Sequence, residues 1–257
     1  MKKNGERKTI QSIDRMNEIL SYLAEKPKGE KLTVISRDLM LNKSTAFGII
    51  STLETLNYLE QDQETGKYYL GLKLFELGQA AYDRLDLVTV AKPHITRLSE
   101  MYEETVHIAV LSKSEVVYLD KVESPRSVRV STQIGGRQPI YCTALGKALL
   151  ANEEESIIAE TIPLIDFIRY TSNTIVDKES FNKELQKIKC QGYAVDDEES
   201  ELGLFCVAAP IFNGEHKVVA AISLAGTVAR VKVKGGEELV EDVKETAAIV
   251  SANLGYK

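Results

Sequence analysis

Three short apolar repeats of helical period, followed directly by two strand-like runs around a turn, occupy residues 12–71, and few folds accept that order in so little chain. Residues 12–25 (SIDRMNEILSYLAE) space Ile13, Met16, Ile19, Leu20 and Leu23 along one helix face, with Ser12 as N-cap and Pro27 and Gly29 ending the helix. A second helix is expected behind Thr33 as cap, with Val34, Ile35 and Leu39 apolar. Residues 41–43 read as a tight turn, and Asn42 as the cap of a third helix over 43–58. In that helix Ala46, Ile49, Ile50, Leu53 and Leu56 form a stripe to be buried. Tyr58 and Leu59 begin a strand, residues 64–67 turn the chain, and Tyr68 to Leu70 return. Lys67 is then expected at the tip of a two-stranded wing.

The outward face of the third helix shows Ser44, Thr45, Phe47, Gly48, Ser51 and Thr52, with no carboxylate before Glu54. Small polar side chains without negative charge suit contact with base edges and phosphates. Such a helix enters the major groove through its first turn, here Lys43 to Phe47. The charge distribution agrees. Residues 1–45 carry ten Lys/Arg, among them Lys2, Lys3, Arg7, Lys8 and Arg37, against six Asp/Glu, although the whole chain is −6. A basic front on an acidic body is the asymmetry expected when one end meets nucleic acid. The residues alone also allow a non-enzymatic protein–protein adaptor with a sensing domain.

Beyond residue 71 an amphipathic helix over 72–88 is expected, then a helix over 91–104. Alternating runs at 106–112, 115–122 and 127–134 read as strands, and Gly135-Gly136 as a turn. Thr143 caps a helix running to Leu150; Asp177 caps another, with Phe181, Leu185 and Ile188 on one side and Gly192 at its end. Strands at 206–212 and 218–226 meet at an Asn213-Gly214 hairpin, and a last helix spans 236–253. Helices around an antiparallel sheet make the class α+β.

Two sets of runs resemble one family, the IclR transcriptional regulators. The first set is SIDRMNEIL and NKSTAFGIISTLETLNYLEQDQETGKYYLG, carrying Ser12 and Arg15, Ser44 and Thr45, Leu53 and Glu54, and the closing Tyr68, Leu70 and Gly71. The second is GGRQPIYCTALGKALLA, GYAVDDEESELGLFCVAAPIFN and AAISLAG. The resemblance implies an N-terminal winged helix-turn-helix over 9–71, a linker helix over 72–90, and a GAF-like antiparallel-sheet effector domain over 91–257. It implies that Ser44 and Thr45 touch the DNA backbone with Arg15 nearby. Together with the reading above, the expected DNA-contacting set is Arg15, Arg37, Asn42, Lys43, Ser44, Thr45, Phe47, Ser51 and Lys67. One position departs from the family: Gly48 stands where a basic residue is usual, so an arginine-to-guanine contact is unavailable there. Phe47 beside it either packs on a thymine methyl or is partly buried.

Effector contacts implied by the resemblance fall at Ser127, Val130, Ala144, Leu145, Asp196, Cys206, Ser223 and Ala225. The physical reading adds Gly146: the first N–H groups of the helix behind Thr143 lack intrahelical partners and favour a carboxylate. Ala144-Leu145 and Ala225 make that end of the site smaller and more apolar than in the family. The expected effector is a small organic acid, aromatic or sugar-derived. The expected partners are a pseudo-palindromic double-stranded operator, the effector, and further copies of the chain as a homodimer or dimer of dimers, with repression favoured over activation.

Other chemistries find little support in the residues. The three histidines (His94, His107, His216) form no HExxH pair, no GxSxG elbow occurs, and the ALGKA run lacks the spacing of a phosphate-binding loop. Catalysis is not expected, and neither is a metal or other cofactor. Residues 196–199 (DDEE) read as an exposed, solvated loop, with Asp196 available to a ligand hydroxyl. Cys142, Cys190 and Cys206 form no CxxC pair; Cys142 and Cys206 are placed provisionally on the same pocket. With no apolar run of membrane length and no apolar signal core, a soluble cytoplasmic protein without membrane contact is expected.

Overall fold

The computed structural model describes residues 9–82 and 86–257, and of 81, 82, 86 and 233–235 the backbone only. The basic tail residues Lys2, Lys3, Arg7 and Lys8 lie outside the described residues, as do Leu85 and the side chain of Tyr82. The chain forms two compact units that divide between residues 85 and 86.

In the first unit α1 (Gln11–Ala24), α2 (Leu32–Asp38) and α3 (Lys43–Thr55) pack around Ile19, Leu23, Ile35, Ile50 and Leu53. The period-3.6 stripe in each helix supplies these residues, which is why the three helices were legible. The caps were less so. Ile10, Lys31 and Asn42 hold the N-cap positions, and none donates or accepts a side-chain capping bond. Ser12 and Thr33 therefore lie inside helices rather than in front of them. The third helix stops at Thr55, and Leu56, expected in the stripe, is exposed. The wing pairs β2 (Leu59–Gln61) with β3 (Lys67–Leu70), and β1 (Glu30–Lys31) adds to the far edge of β3. Asp62 closes the wing turn by accepting from the N–H groups of Glu64 (2.9 Å) and Thr65 (2.8 Å). Helix α4 (Leu72–Tyr82) completes the described part of this unit.

The second unit opens with α5 (Asp86–Tyr102), which continues through Pro93, so residues 90 and 91 sit within one helix. Six strands follow in the antiparallel order β6-β5-β4-β9-β8-β7: β4 (Thr105–Ser112), β5 (Glu115–Val122), β6 (Arg137–Pro139), β7 (Ala194–Asp197), β8 (Leu204–Phe212) and β9 (Val218–Thr227). Alternation along β8 and β9 sorts the layers. Val207, Ala209, Ile211, Ala220, Ile222 and Leu224 face α5 and α9 (Val228–Asn253). Ala208 and Ala221 face α6 (Ala144–Ala151) and α8 (Lys178–Gln191). A short helix α7 (Glu155–Thr161), not expected from the pattern, precedes α8. Helix α9 begins eight residues before the expected start and is broken at Gly236 (φ 52°, ψ −146°). The 213–217 hairpin is longer than a two-residue turn: Asn213 N–H reaches the Lys217 carbonyl at 3.0 Å.

The expected strand at 127–134 is absent. Residues 127–136 form bends, irregular chain and a turn at 134–135; on the outer edge of β5 only residues 115–117 are paired, by β6, with Arg137 opposite Val117 and Pro139 opposite Glu115. Alternation alone makes no strand unless the run also pairs in a ladder.

Candidate functional site

On α3 the buried side is Ala46, Ile50 and Leu53, and the opposite side exposes Asn42, Lys43, Ser44, Phe47, Gly48 and Thr52. Thr45 and Ser51 are half-buried at the margins. Residues 44, 47 and 51 share one helical face by their spacing. Phe47 is 57% exposed, which decides against its burial in the unit's core. Met40 in the preceding turn is exposed and carries φ 52°. Arg15 is half-buried on α1 and has no ion pair among the described residues, whereas Arg37, at the end of α2, is paired with Asp38 at 2.8 Å. Lys67 is not at the wing tip. It opens β3, and its Nζ donates to the Lys28 carbonyl at 3.2 Å, so residues 63–65 form the tip.

In the second unit a cavity of about 150 Å³ lies between the sheet and the N-terminus of α6. Its floor follows from strand register. Asp196 pairs with Cys206 and Cys206 with Ala225; Ser223 pairs with His107 on the next strand. All of these line the cavity, with Ala144 and Leu145 opposite and Val130 on the irregular 127–136 segment. Ser127 and Gly146 do not line it. Ser127 is exposed elsewhere, and Gly146 is held against the backbone of Ile140, where a Cβ would lie 2.3 Å from its Cα. The Gly146 N–H donates to its cap, Thr143 Oγ1, at 3.2 Å. Ala144 and Leu145, in the first turn of α6, line the cavity, and among the described residues no turn, loop or side-chain group accepts from their N–H groups.

The pattern left several cavity residues unseen: His107, Tyr118, Thr132, Gln138 and Ser200. His107 alternates in β4 like any core residue, and Thr132 and Ser200 lie on loops, so only the three-dimensional structure brings them together. His107 Nε2 meets Thr132 Oγ1 at 2.9 Å, and its ring packs 5.0 Å from that of Tyr118.

Residues 196–199 are not a solvated loop. Asp196 and Glu199 are buried. Asp196 accepts from the Glu199 N–H (2.8 Å), the Ser200 N–H (3.3 Å) and the Ser200 hydroxyl (2.5 Å). Burial raises its carboxyl above the ordinary value, opposed by these hydrogen bonds and by Lys147. Lys147, fully buried on α6, is ion-paired with Glu199. Burial pushes the Glu199 carboxyl up to about 7 against the pull of Lys147. Cys206 faces the cavity, but Cys142 belongs to the apolar core beside α6. Burial raises both thiols, Cys142 to about 12, so neither is the thiolate that reacts. A larger open groove of about 500 Å³ between α7 and α8 is lined by Ile158, Ile162 and Leu185, and its polar lining residues are all exposed. It offers no converging polar groups.

Burial, and then the Lys121 ammonium, push His107 down to about 3 from 6.5. The folded protein therefore leaves this imidazole neutral while the unfolded chain protonates it below pH 6.5. Its contribution to stability is complete above that value and is lost as pH falls toward 3. His107→Gln is expected to flatten the acid limb of a denaturant-midpoint profile over that window. An unchanged limb would show that the imidazole is protonated in the folded state.

Residues 12–63 match the IclR helix-turn-helix domain, and residues 79–252 match the bacterial transcriptional regulator IclR C-terminal domain. The chain belongs to the IclR family. Among its relatives, the HTH-type transcriptional regulators KdgR and XynR of Escherichia coli are each 34% identical, covering 96% of this chain and 94% and 98% of theirs. The Thermotoga maritima IclR structure superposes with a TM-score of 0.78 at 30% identity, covering 96% of this chain and 100% of that one. An IclR homologue from Microbacterium hydrocarbonoxydans, solved with 4-hydroxybenzoate, gives 0.84 at 26% identity, covering 95% and 98%.

This IclR-family protein is a DNA-binding transcriptional regulator with an effector-binding domain. Helices α2 and α3 lie within the residues that match the helix-turn-helix domain, and the six-stranded unit is its effector domain. No described helix is long and apolar enough to cross a membrane.

Proposed function

We propose that this regulator is a cytoplasmic, non-enzymatic repressor whose operator affinity is set by a small hydroxylated carboxylic acid bound at the α6 N-terminus. Residues 9–71 contact DNA, 72–90 join the units, and 91–257 bind the effector. Two copies place two α3 helices on a pseudo-palindrome. Curated relatives at 33% identity are named repressors, and the 4-hydroxybenzoate complex supplies one example of an acid bound by a related chain.

The observation that carries the ligand class is the cavity lining. The Ala144 and Leu145 N–H groups offer a carboxylate two donors at a helix N-terminus. Ser131, Thr132, Gln138, Ser200 and Ser223 surround the rest with hydroxyls and an amide, and Asp196 accepts from a ligand hydroxyl. A cavity of about 150 Å³ has room for a molecule about the size of benzene. A hydroxylated acid satisfies these groups where an apolar one leaves them unpaired. A thermal-shift screen of short hydroxy acids, aromatic acids and their amides is the test. Hydroxy acids should raise the melting temperature and their amides should not. A response confined to apolar acids would overturn the assignment.

On the DNA side, Asn42 to Thr45, Phe47 and Ser51 form the contact face, with Arg15, Arg37 and Lys67 toward the phosphates. Binding to the DNA flanking its own gene should weaken steeply between two salt concentrations. Replacing Ser44 and Thr45 together by alanine should cost about tenfold in affinity, the loss of two phosphate hydrogen bonds. A fluorescence titration in which this variant binds as tightly as wild type would remove both hydroxyls from the interface.

A further inference from the structure

Base recognition needs a side chain that tells one base pair from another, and α3 carries few candidates. Asn42 at its N-cap and Lys43 at its start can reach adenine and guanine, but beyond Lys43 the helix has no lysine, arginine, asparagine or glutamine to read a base. Thr52 and Thr55 have turned their hydroxyls back to the helix, donating to the Gly48 and Ser51 carbonyls at 2.8 Å each. Ser44 and Ser51 keep theirs, but a short hydroxyl serves any base pair. Beyond Lys43 what remains is Phe47, on the same face as both serines and more than half exposed. Beside it stands Gly48, around which a Cβ would meet no atom within 4 Å. The helix is therefore bare at that point, which leaves room for close approach to its backbone.

We propose that Phe47 is a base-reading side chain of this regulator: its exposed ring, beside the bare backbone at Gly48, recognises the C5-methyl group of thymine in the major groove. An aromatic ring has no donor or acceptor for the groove's hydrogen-bonding pattern, and the thymine methyl is the one apolar group displayed there. Specificity then comes from removing that methyl and the ring from water together. The inference rests on α3 lying in the major groove, as in the operator reading above.

The test uses the full-length chain. Duplexes that it selects from a random pool are prepared with uracil in place of each thymine in turn, which deletes the methyl and leaves the base pairing intact. At one thymine per half-site, uracil should weaken binding roughly fourfold, the effect expected for one buried methyl. Phe47→Ala should bind the thymine duplex more weakly by a similar factor and lose the distinction between thymine and uracil. Phe47→Leu should keep part of it. Because the ring is exposed, these variants should melt with the wild type, and circular dichroism checks that they do. A selected sequence indifferent to uracil at every thymine overturns the proposal, as does a Phe47→Ala variant that still prefers thymine. A selection that enriches no sequence overturns the operator reading along with it.

Discussion

Replacing Lys147 by methionine should destabilise the effector domain by about 3–5 kcal/mol at neutral pH, the cost of leaving one member of a buried ion pair behind. Lys147 is fully buried on α6 and paired with Glu199, whose second carboxylate oxygen has no hydrogen-bond partner. Without the ammonium, that carboxylate faces the same burial with Asp196 nearby and nothing to offset it. It must then take up a proton to stay inside. The pH dependence follows. The folded-state carboxyl already titrates near 7, above its ordinary 4.5, so Glu199 costs stability as pH rises through that interval. Losing Lys147 raises the folded value further, so the deficit of the variant should grow as pH rises above about 7 and level off below it, where both folded forms carry the proton. The double variant Lys147→Met, Glu199→Gln removes both charges and should recover most of the loss. Chemical denaturation followed by circular dichroism measures all three. A single variant within 1 kcal/mol of wild type, or a double variant no better than the single, would refute a buried, mutually dependent pair.

Gly146→Ala should cost the same domain about 3 kcal/mol, the upper end for overpacking, because the obstacle is backbone rather than a movable side chain. The added Cβ would lie 2.3 Å from the Ile140 Cα and 2.5 Å from its carbonyl oxygen. Relief requires moving the first turn of α6 off the strand-to-helix connection. That turn carries the Thr143 cap and the Ala144 and Leu145 N–H groups at the cavity wall. Stability and effector response should fall together: a melting temperature lower by roughly 6–12 °C, and loss of the ligand-induced shift at ligand concentrations that saturate wild type. A variant that melts with the wild type would show that the close contact at Ile140 is not rigid.

These two positions mark where the sequence was and was not enough. Gly146 suggests close approach by a ligand or by backbone, and in the structure it is the Ile140 backbone that takes the space of the absent side chain. Lys147 looked like an ordinary helix lysine. Its partner lies 52 residues away in a run of four acids that reads as solvated. Nothing local distinguishes a lysine bound for a buried pair from one bound for water, because the energy that decides it belongs to the pair. His107 is a similar case: its place in an alternating strand shows that it points to one face, while the cavity on that face is assembled from Tyr118, Thr132 and Ser223.

What the sequence by itself determined was whatever short-range physics controls. The apolar stripes of α1, α2 and α3 place the core of the first unit, and the departure at Gly48 was visible at once. The caps at Thr143 and Asp177 act within their own helical turns, and both are made, with hydrogen bonds to Gly146 (3.2 Å) and Ser180 (2.8 Å). The long strands β4, β5, β8 and β9 carry enough alternation to declare themselves. Tertiary structure alone decided the rest. The edge strands β1, β6 and β7 have two to four residues each and exist because a neighbour offers an unpaired ladder. Residues 127–134 alternate as well as any strand, yet they remain irregular and the three residues after Gly136 make the edge strand instead. Periodicity records which side of an element is apolar; pairing, burial of charge and the shape of a cavity depend on which distant segment arrives there first, and that is a property of the folded chain.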